Sequence, residues 1–269
     1  MNNKKNSIVL SLVVPVFNEE ETIGLFCNRV RELISDYGKC LHRSESEDPG
    51  EWLEVLFVDD GSEDRTLQLL EEKIGKHAYF RLIRFSRNFG HQAAVAAGIS
   101  HARGQAVVVM DVDLQDPPEL IIKMIEKWQE GYAVVYAIRR KRQAPLMLKL
   151  AYKLYYMINN MIADYPVHKD SGDFCLLDRK VVGVINALPE KSRYMRGLRA
   201  WVGFKQIGVP FDRKIRESGN SKYSFVSLVK LAFQGVLSTS VKPLFLSGVF
   251  SVVSLFLVLG MIAFVLFSK

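Results

Sequence analysis

Five short apolar runs punctuate the first 140 residues: Leu10 to Val16, Trp52 to Val58, Leu82 to Phe85, Ala106 to Met110 and Ala133 to Ile138. All are brief for a helix, and those at Leu10, Ala106 and Ala133 are rich in β-branched residues. Such near-continuous apolar runs read as strands buried on both faces. Between them lie longer stretches with helical patterning: from Glu19 to about Tyr37, from about Glu63, Gln92 to His101, and Pro118 to Glu130. Strands alternating with helices at this spacing predict a largely parallel, doubly wound α/β sheet. Trp201 to Pro210 supplies a further strand or two, and Gly38 to Glu51 is a polar surface insertion.

Three later segments break this pattern. Leu146 to Ile162 is strongly apolar yet carries Lys149, Lys153 and three tyrosines, which suits a helix lying in a lipid headgroup layer. A core helix is the alternative. Tyr223 to Ser238 patterns as a second amphipathic helix, filling 223–242. Pro243 to Phe267 then runs for about 25 residues without a charge, enough to span a bilayer. The α/β domain is thus expected to occupy 1–222, with the span at 243–267. Basic residues ahead of the span place that domain on the cytoplasmic side.

Composition refines the picture in two places. The net charge of +7 is concentrated in Arg139-Arg-Lys-Arg142 with Lys149 and Lys153, and in Arg213, Lys214, Arg216, Lys222 and Lys230. Beside a spanning helix, these patches point to anionic lipid and phosphorylated ligands and away from nucleic acid. Cys27, Cys40 and Cys175 have neither metal spacing nor a disulfide framework, in keeping with reduced thiols. The N-terminal Ile8 to Phe17 run superficially resembles a signal peptide. Pro15 interrupts it, Glu19-Glu-Glu21 follows, and no small-residue cleavage site is present, so it reads as the first strand.

The candidate chemistry gathers at strand ends. The Ala106 to Met110 run stops at Asp111, Asp113, Gln115 and Asp116. If the chain stayed extended, Asp111, Asp113 and Gln115 would share one side. Two carboxylates and an amide oxygen suit a hard cation, Mg²⁺ or Mn²⁺; a solvated turn capping the next helix is the plain alternative. Asp59-Asp60-Gly61-Ser62, at another strand end, can accept hydrogen bonds from a base or ribose, or simply cap a turn. Arg87 and Asn88 can meet a phosphate or sugar, or lie in a surface loop. Glu19 either complements a helix dipole or touches ligand. No G-x-G-x-x-G follows the first strand, which counts against a nicotinamide or flavin.

In order, VVPVFNEEETI, VDDGSEDRT, SRNFGHQAAVAAG, MDVDLQDPPE, SGDFCLL and RESGNSKYSF resemble the family 2, GT-A-fold glycosyltransferases. Within that family they are most similar to the polyprenyl-phosphate enzymes, the dolichyl-phosphate mannose synthases and bactoprenol glucosyltransferases. The match runs from Leu12 to about Phe225. The resemblance implies a GT-A catalytic domain with interfacial helices and a membrane span. It implies transfer of a hexose, glucose from UDP-glucose being favoured, to undecaprenyl phosphate with inversion. It further implies a nucleoside site around Pro15, Glu19, Asp59 and Asp60, and a metal held by Asp111, Asp113 and Gln115. Arg216 and Lys222, in a loop over 216–222, would meet the donor diphosphate. Arg139 and Lys149 would hold the lipid phosphate, and Asp173 would face the sugar or the reaction centre. Asp113, Asp173 and Arg216 are the expected catalytic residues.

An acceptor phosphate is already anionic, so it needs positioning by cations more than a general base, and no His is required. Transfer onto a diacylglycerol lipid, and an inactive nucleotide-sugar-binding subunit, stay open, as does self-association. The Q-x-x-R-W signature of processive synthases is absent; Arg199-Ala-Trp201 does not supply it. Many bacterial relatives carry two spanning helices where this chain shows one, which leaves a one-helix form and a shortened C-terminus both open.

Overall fold

The computed structural model describes residues 8–139, 171–189, 195–212 and 242–268. The chain divides into two compact units, the first taking in the described residues up to 212 and the second the described residues from 242. The helices expected over 146–162 and 223–238, and the 216–222 loop, lie outside the described residues.

In the first unit the elements run β1 (Leu10–Val16), α1 (Ile23–Cys40), β2 (Leu53–Asp59), α2 (Thr66–Ile74), β3 (Phe80–Arg84), α3 (His91–His101), β4 (Ala106–Val109), α4 (Leu120–Gln129), β5 (Val134–Arg139), β6 (Ser171–Asp178), α5 (Arg179–Ala187), α6 (Met195–Trp201) and β7 (Gln206–Phe211). Trp201 therefore ends a helix, and the expected strand begins only at Gln206. Among the described residues seven strands form one sheet in the order β3-β2-β1-β4-β6-β5-β7. All pair in parallel except β6, which runs antiparallel to both β4 and β5. The largely parallel sheet expected from the pattern is present, with one reversed strand, β6, fifth of the seven.

The apolar runs are continuous because successive residues serve opposite faces. Leu12, Val14, Phe57 and Val108 pack with Phe26, Val30 and Ile121 from α1 and α4. Val13, Val107 and Val109 pack with Val95, Ile99, Val181 and Ile185 from α3 and α5 on the other side. Pro15 can sit inside β1 because of where its missing N–H would point. Val13 faces β4, as its carbonyl accepts from Met110 N–H, so Pro15 faces that side too. There β4 has already stopped, at Val109 opposite Val13, and no ladder bond is lost.

Helix α3 lies close against the sheet at Gly98. A Cβ there would sit 2.2 Å from Val13 Cγ1 and 3.1 Å from Val58 Cγ2. Gly98→Ala gains about 1 kcal/mol of helix propensity but overpacks the core at about 1–3 kcal/mol. The expected result is a net destabilisation of up to about 2 kcal/mol in chemical denaturation. A more stable variant would mean that α3 can move off the sheet at no cost.

In the second unit α7 spans Lys242–Phe267, and its apolar stretch Ser247–Phe267 is long and apolar enough to cross a membrane. Its 26 residues reach about 39 Å at 1.5 Å per residue, against a hydrocarbon core of about 30 Å. Leu, Val and Phe recur along its whole length, and Phe245 and the large apolar side chains from Val249 to Phe267 are exposed. A helix apolar all round belongs in lipid or in a core.

Candidate active site

The strand order reverses between β1 and β4: the chain winds outward from β1 to β3, then returns to the far side of β1. Open α/β sheets bind ligands beyond the carboxyl ends of the strands at such a switch point. The loops after β1, β2, β3 and β4 converge there. So does the start of β6, because that strand runs the other way. Its Cys175 pairs with Val109, the last residue of β4, which carries Asp173 past the strand end towards Asp111.

The loops after β1 and β2 are tied into one wall. Asn18 N–H donates to Ser62 Oγ at 3.0 Å, and Asn18 Oδ1 accepts from Glu63 N–H at 2.9 Å. Glu19 N–H donates to Thr66 Oγ1 at 2.8 Å, and Glu20 accepts from Arg65 N–H and Nε. Asn18 adopts φ 53°, a left-handed conformation that Asn tolerates better than most residues. Helix α1 starts only at Ile23, so Glu19 to Glu21 precede it and none lies in its first turn. Instead the Glu19 carboxylate accepts from the Thr22 hydroxyl at 2.9 Å.

Asp59 and Asp60 serve different neighbours. Asp59 is buried; its Oδ1 accepts from Ser62 N–H at 3.1 Å, while Oδ2 has no partner among the described residues. Asp60 accepts from Phe89 N–H at 2.7 Å and Gly90 N–H at 2.9 Å, so it fastens the turn between β3 and α3. Gly61 makes that closeness possible: at φ +73°, a Cβ there would lie 2.5 Å from the Arg87 carbonyl carbon. Beside it the Arg87 guanidinium stacks 4.0 Å over the half-exposed Phe89 ring. Gly90, at φ +97°, hands the chain into α3 at His91.

His91 is the residue that sequence reasoning passed over. Its Nε2 lies 3.0 Å from Asp111 Oδ1 and its Nδ1 4.0 Å from Asp173 Oδ2. Asp173 is in turn gripped by Arg196, whose Nε and Nη2 each donate at 2.8 Å. Burial by itself disfavours a charged imidazole. The bond to Asp111 and the charges of Asp111 and Asp173 outweigh that and raise His91 to about 9. Burial would likewise raise the Asp173 carboxyl, but the Arg196 charge and its paired hydrogen bonds hold it well below the usual carboxylate range. The result is an alternating row of anion and cation: Asp111, His91, Asp173, Arg196. The available signal was the polar Gly90-His91-Gln92 opening an otherwise alanine-rich helix. Nothing in the sequence around Arg196 marks it.

The chain has left the strand by Met110, and 112–116 is turn and bend. Leu114 takes φ 55° and Asp113 Oδ1 accepts from Gln115 N–H at 3.1 Å. Alternation along an extended chain therefore does not govern where Asp111, Asp113 and Gln115 point; a tight turn presents them. Asp116 is buried and takes Arg139 Nη2 at 3.4 Å. Arg139, at the end of β5, lies on the same edge of the sheet. Lys149, Arg216 and Lys222 lie outside the described residues. Among those described, no three His, Cys, Asp or Glu side chains converge as a metal site.

The chain is 44% identical over 242 residues to the uncharacterized glycosyltransferase YkcC of Bacillus subtilis (strain 168), covering 90% of this chain and 71% of that protein. It is 39% identical over 236 residues to the bactoprenol glucosyl transferase of Shigella phage SfX, covering 87% and 73%. A solved structure of glucosyl-3-phosphoglycerate synthase from Mycobacterium tuberculosis, in complex with Mn²⁺, UDP and phosphoglyceric acid, matches with a TM-score of 0.53 and 17% identity. It covers 86% of this chain and 77% of that one, a likeness of fold. Glycosyl transferase family 2 matches residues 11–185, and with the acidic turn standing at the switch point of this sheet the chain belongs to that family.

Proposed function

We propose that the protein transfers a hexose, glucose from UDP-glucose, to undecaprenyl phosphate with inversion at the anomeric carbon. It does so at a membrane that α7 crosses, with the catalytic domain on the cytoplasmic side. The observation that carries the reading is the Asp111 to Gln115 turn at the sheet's switch point, with Asp111 held by His91. Relatives named as bactoprenol glucosyl transferases support the lipid acceptor, and α7 supports a membrane location.

The donor set fits a divalent cation, Mg²⁺ or Mn²⁺. Asp111, Asp113 and Gln115 offer only hard oxygen donors. One or two carboxylates completed by substrate phosphate oxygens are a normal complement for Mg²⁺. When bound, the cation would offset charge growing on the departing diphosphate. The remaining chemistry is this chain's own. Asp173 is ionised with both oxygens committed to Arg196, so it does not act as a free proton acceptor. A phosphate acceptor has no need of one, because it attacks as an anion once held in line. Glu19, Asp59 and the Pro15 end of β1 would line the nucleoside side. Arg216 and Lys222 would meet the diphosphate, and Arg139 with Lys149 the lipid phosphate.

The test is a panel of labelled nucleotide sugars supplied to the full chain in detergent with undecaprenyl phosphate, read by mass spectrometry of the extracted lipid. UDP-glucose should give a β-linked, acid-labile glucosyl phospholipid. An acid-stable product would reassign the acceptor to a diacylglycerol lipid. No lipid product from any donor would leave a binding protein.

A further inference from the structure

His91 stands between two acids that reach it from opposite strand directions, Asp111 beyond the end of β4 and Asp173 at the start of β6. Each ring nitrogen faces one of them. Nε2 serves Asp111, and among the described residues no partner takes the other Asp111 oxygen. Nδ1 faces Asp173, whose two oxygens are already paired with Arg196. Next to His91, Gln92 Oε1 accepts from Met195 N–H at 3.0 Å, tying α6 to the start of α3. The backbone beneath is held as well, since Asp60 takes the N–H of Gly90. With 38% of its side chain exposed, His91 is not a packed core residue. A half-open imidazole flanked on both nitrogens and pinned at its backbone is built to hold an orientation.

We propose that His91 is a positioning residue of the donor site: its Nε2–H donates to one oxygen of Asp111 and leaves the other for the cation, while its far side faces Asp173, which Arg196 anchors. The assignment rests on the donor-site reading above. It explains why Asp173 is spent on Arg196, since an anchored anion is what keeps the ring from turning away. Groups that orient a ligating side chain matter nearly as much as the ligand itself, and their loss weakens metal binding about 10–100-fold.

The two nitrogens can be tested separately. The Gln amide nitrogen reaches the place of Nε2, and the Asn amide nitrogen the place of Nδ1. Mn²⁺ binding in the presence of UDP is followed by electron paramagnetic resonance on the full chain in detergent, alongside thermal melts. His91→Ala and His91→Asn should weaken Mn²⁺ about tenfold or more, and His91→Gln by no more than about threefold. Should His91→Ala fail to fold, the Gln and Asn variants carry the comparison. Equal affinity in those two, whether strong or weak, would overturn the positioning role, because a merely structural histidine has no reason to prefer one amide reach. A wild-type protein that binds no Mn²⁺ with UDP is a different result. It would overturn the donor-site reading and this assignment with it.

Discussion

Asp111→Asn should cut turnover about a thousandfold while leaving the melting temperature close to that of the parent chain. The substitution keeps the shape of the side chain and an oxygen that can still accept from His91 Nε2, which lies 3.0 Å away. What it removes is a negative charge facing the cation. Charge stabilisation by such an ion is worth several kcal/mol in the transition state, and each 1.36 kcal/mol is a factor of ten in rate. Initial rates at saturating Mn²⁺ and donor separate this from weak loading. Turnover within a fewfold of wild type would remove Asp111 from the machinery and point to Asp113 as the dominant ligand.

The second large effect falls on stability. Arg196→Ala strips the partner from both oxygens of Asp173, whose side chain is only 9% exposed. Breaking a buried ion pair from one side costs about 3–5 kcal/mol, because the remaining charge is left desolvated. Here the low end is expected, since Arg196 is itself partly exposed and His91 stays 4.0 Å from the same carboxylate. The midpoint in urea measures it. The double variant Arg196→Ala, Asp173→Asn should recover part of the loss, since it removes the stranded charge along with its partner. A double variant as unstable as the single would show that the loss comes from packing of the arginine stem.

Glycines sharpen the same distinction between local and distant causes. Gly98 reads in the sequence as one small residue in an alanine-rich helix. Its requirement comes from Val13 and Val58, both distant in the sequence. Gly61 reads as an ordinary turn glycine after two aspartates. Its lack of a side chain is needed because the Arg87 backbone passes within reach.

By itself the sequence determined β1, β2, β4 and β5 to within a residue or two, since a β-branched run buried on both faces is a local signature. It also marked the uncharged terminal helix and the acidic turn after β4, both contiguous stretches whose composition states their environment. It did not determine that β6 runs antiparallel beside β4, because strand direction is set by which partner completes the sheet, and no local pattern records that choice. That reversal alone brings Asp173 alongside Asp111. Nor did it reveal that Asp60 spends both oxygens on the Phe89 and Gly90 amides, or that His91 and Arg196 alternate with the two acids. Charges from positions 91, 111, 173 and 196 become one row only when four elements meet at the switch point. Their burial and mutual distances, which decide which of them can still move a proton, are properties of that meeting and of no single stretch of chain.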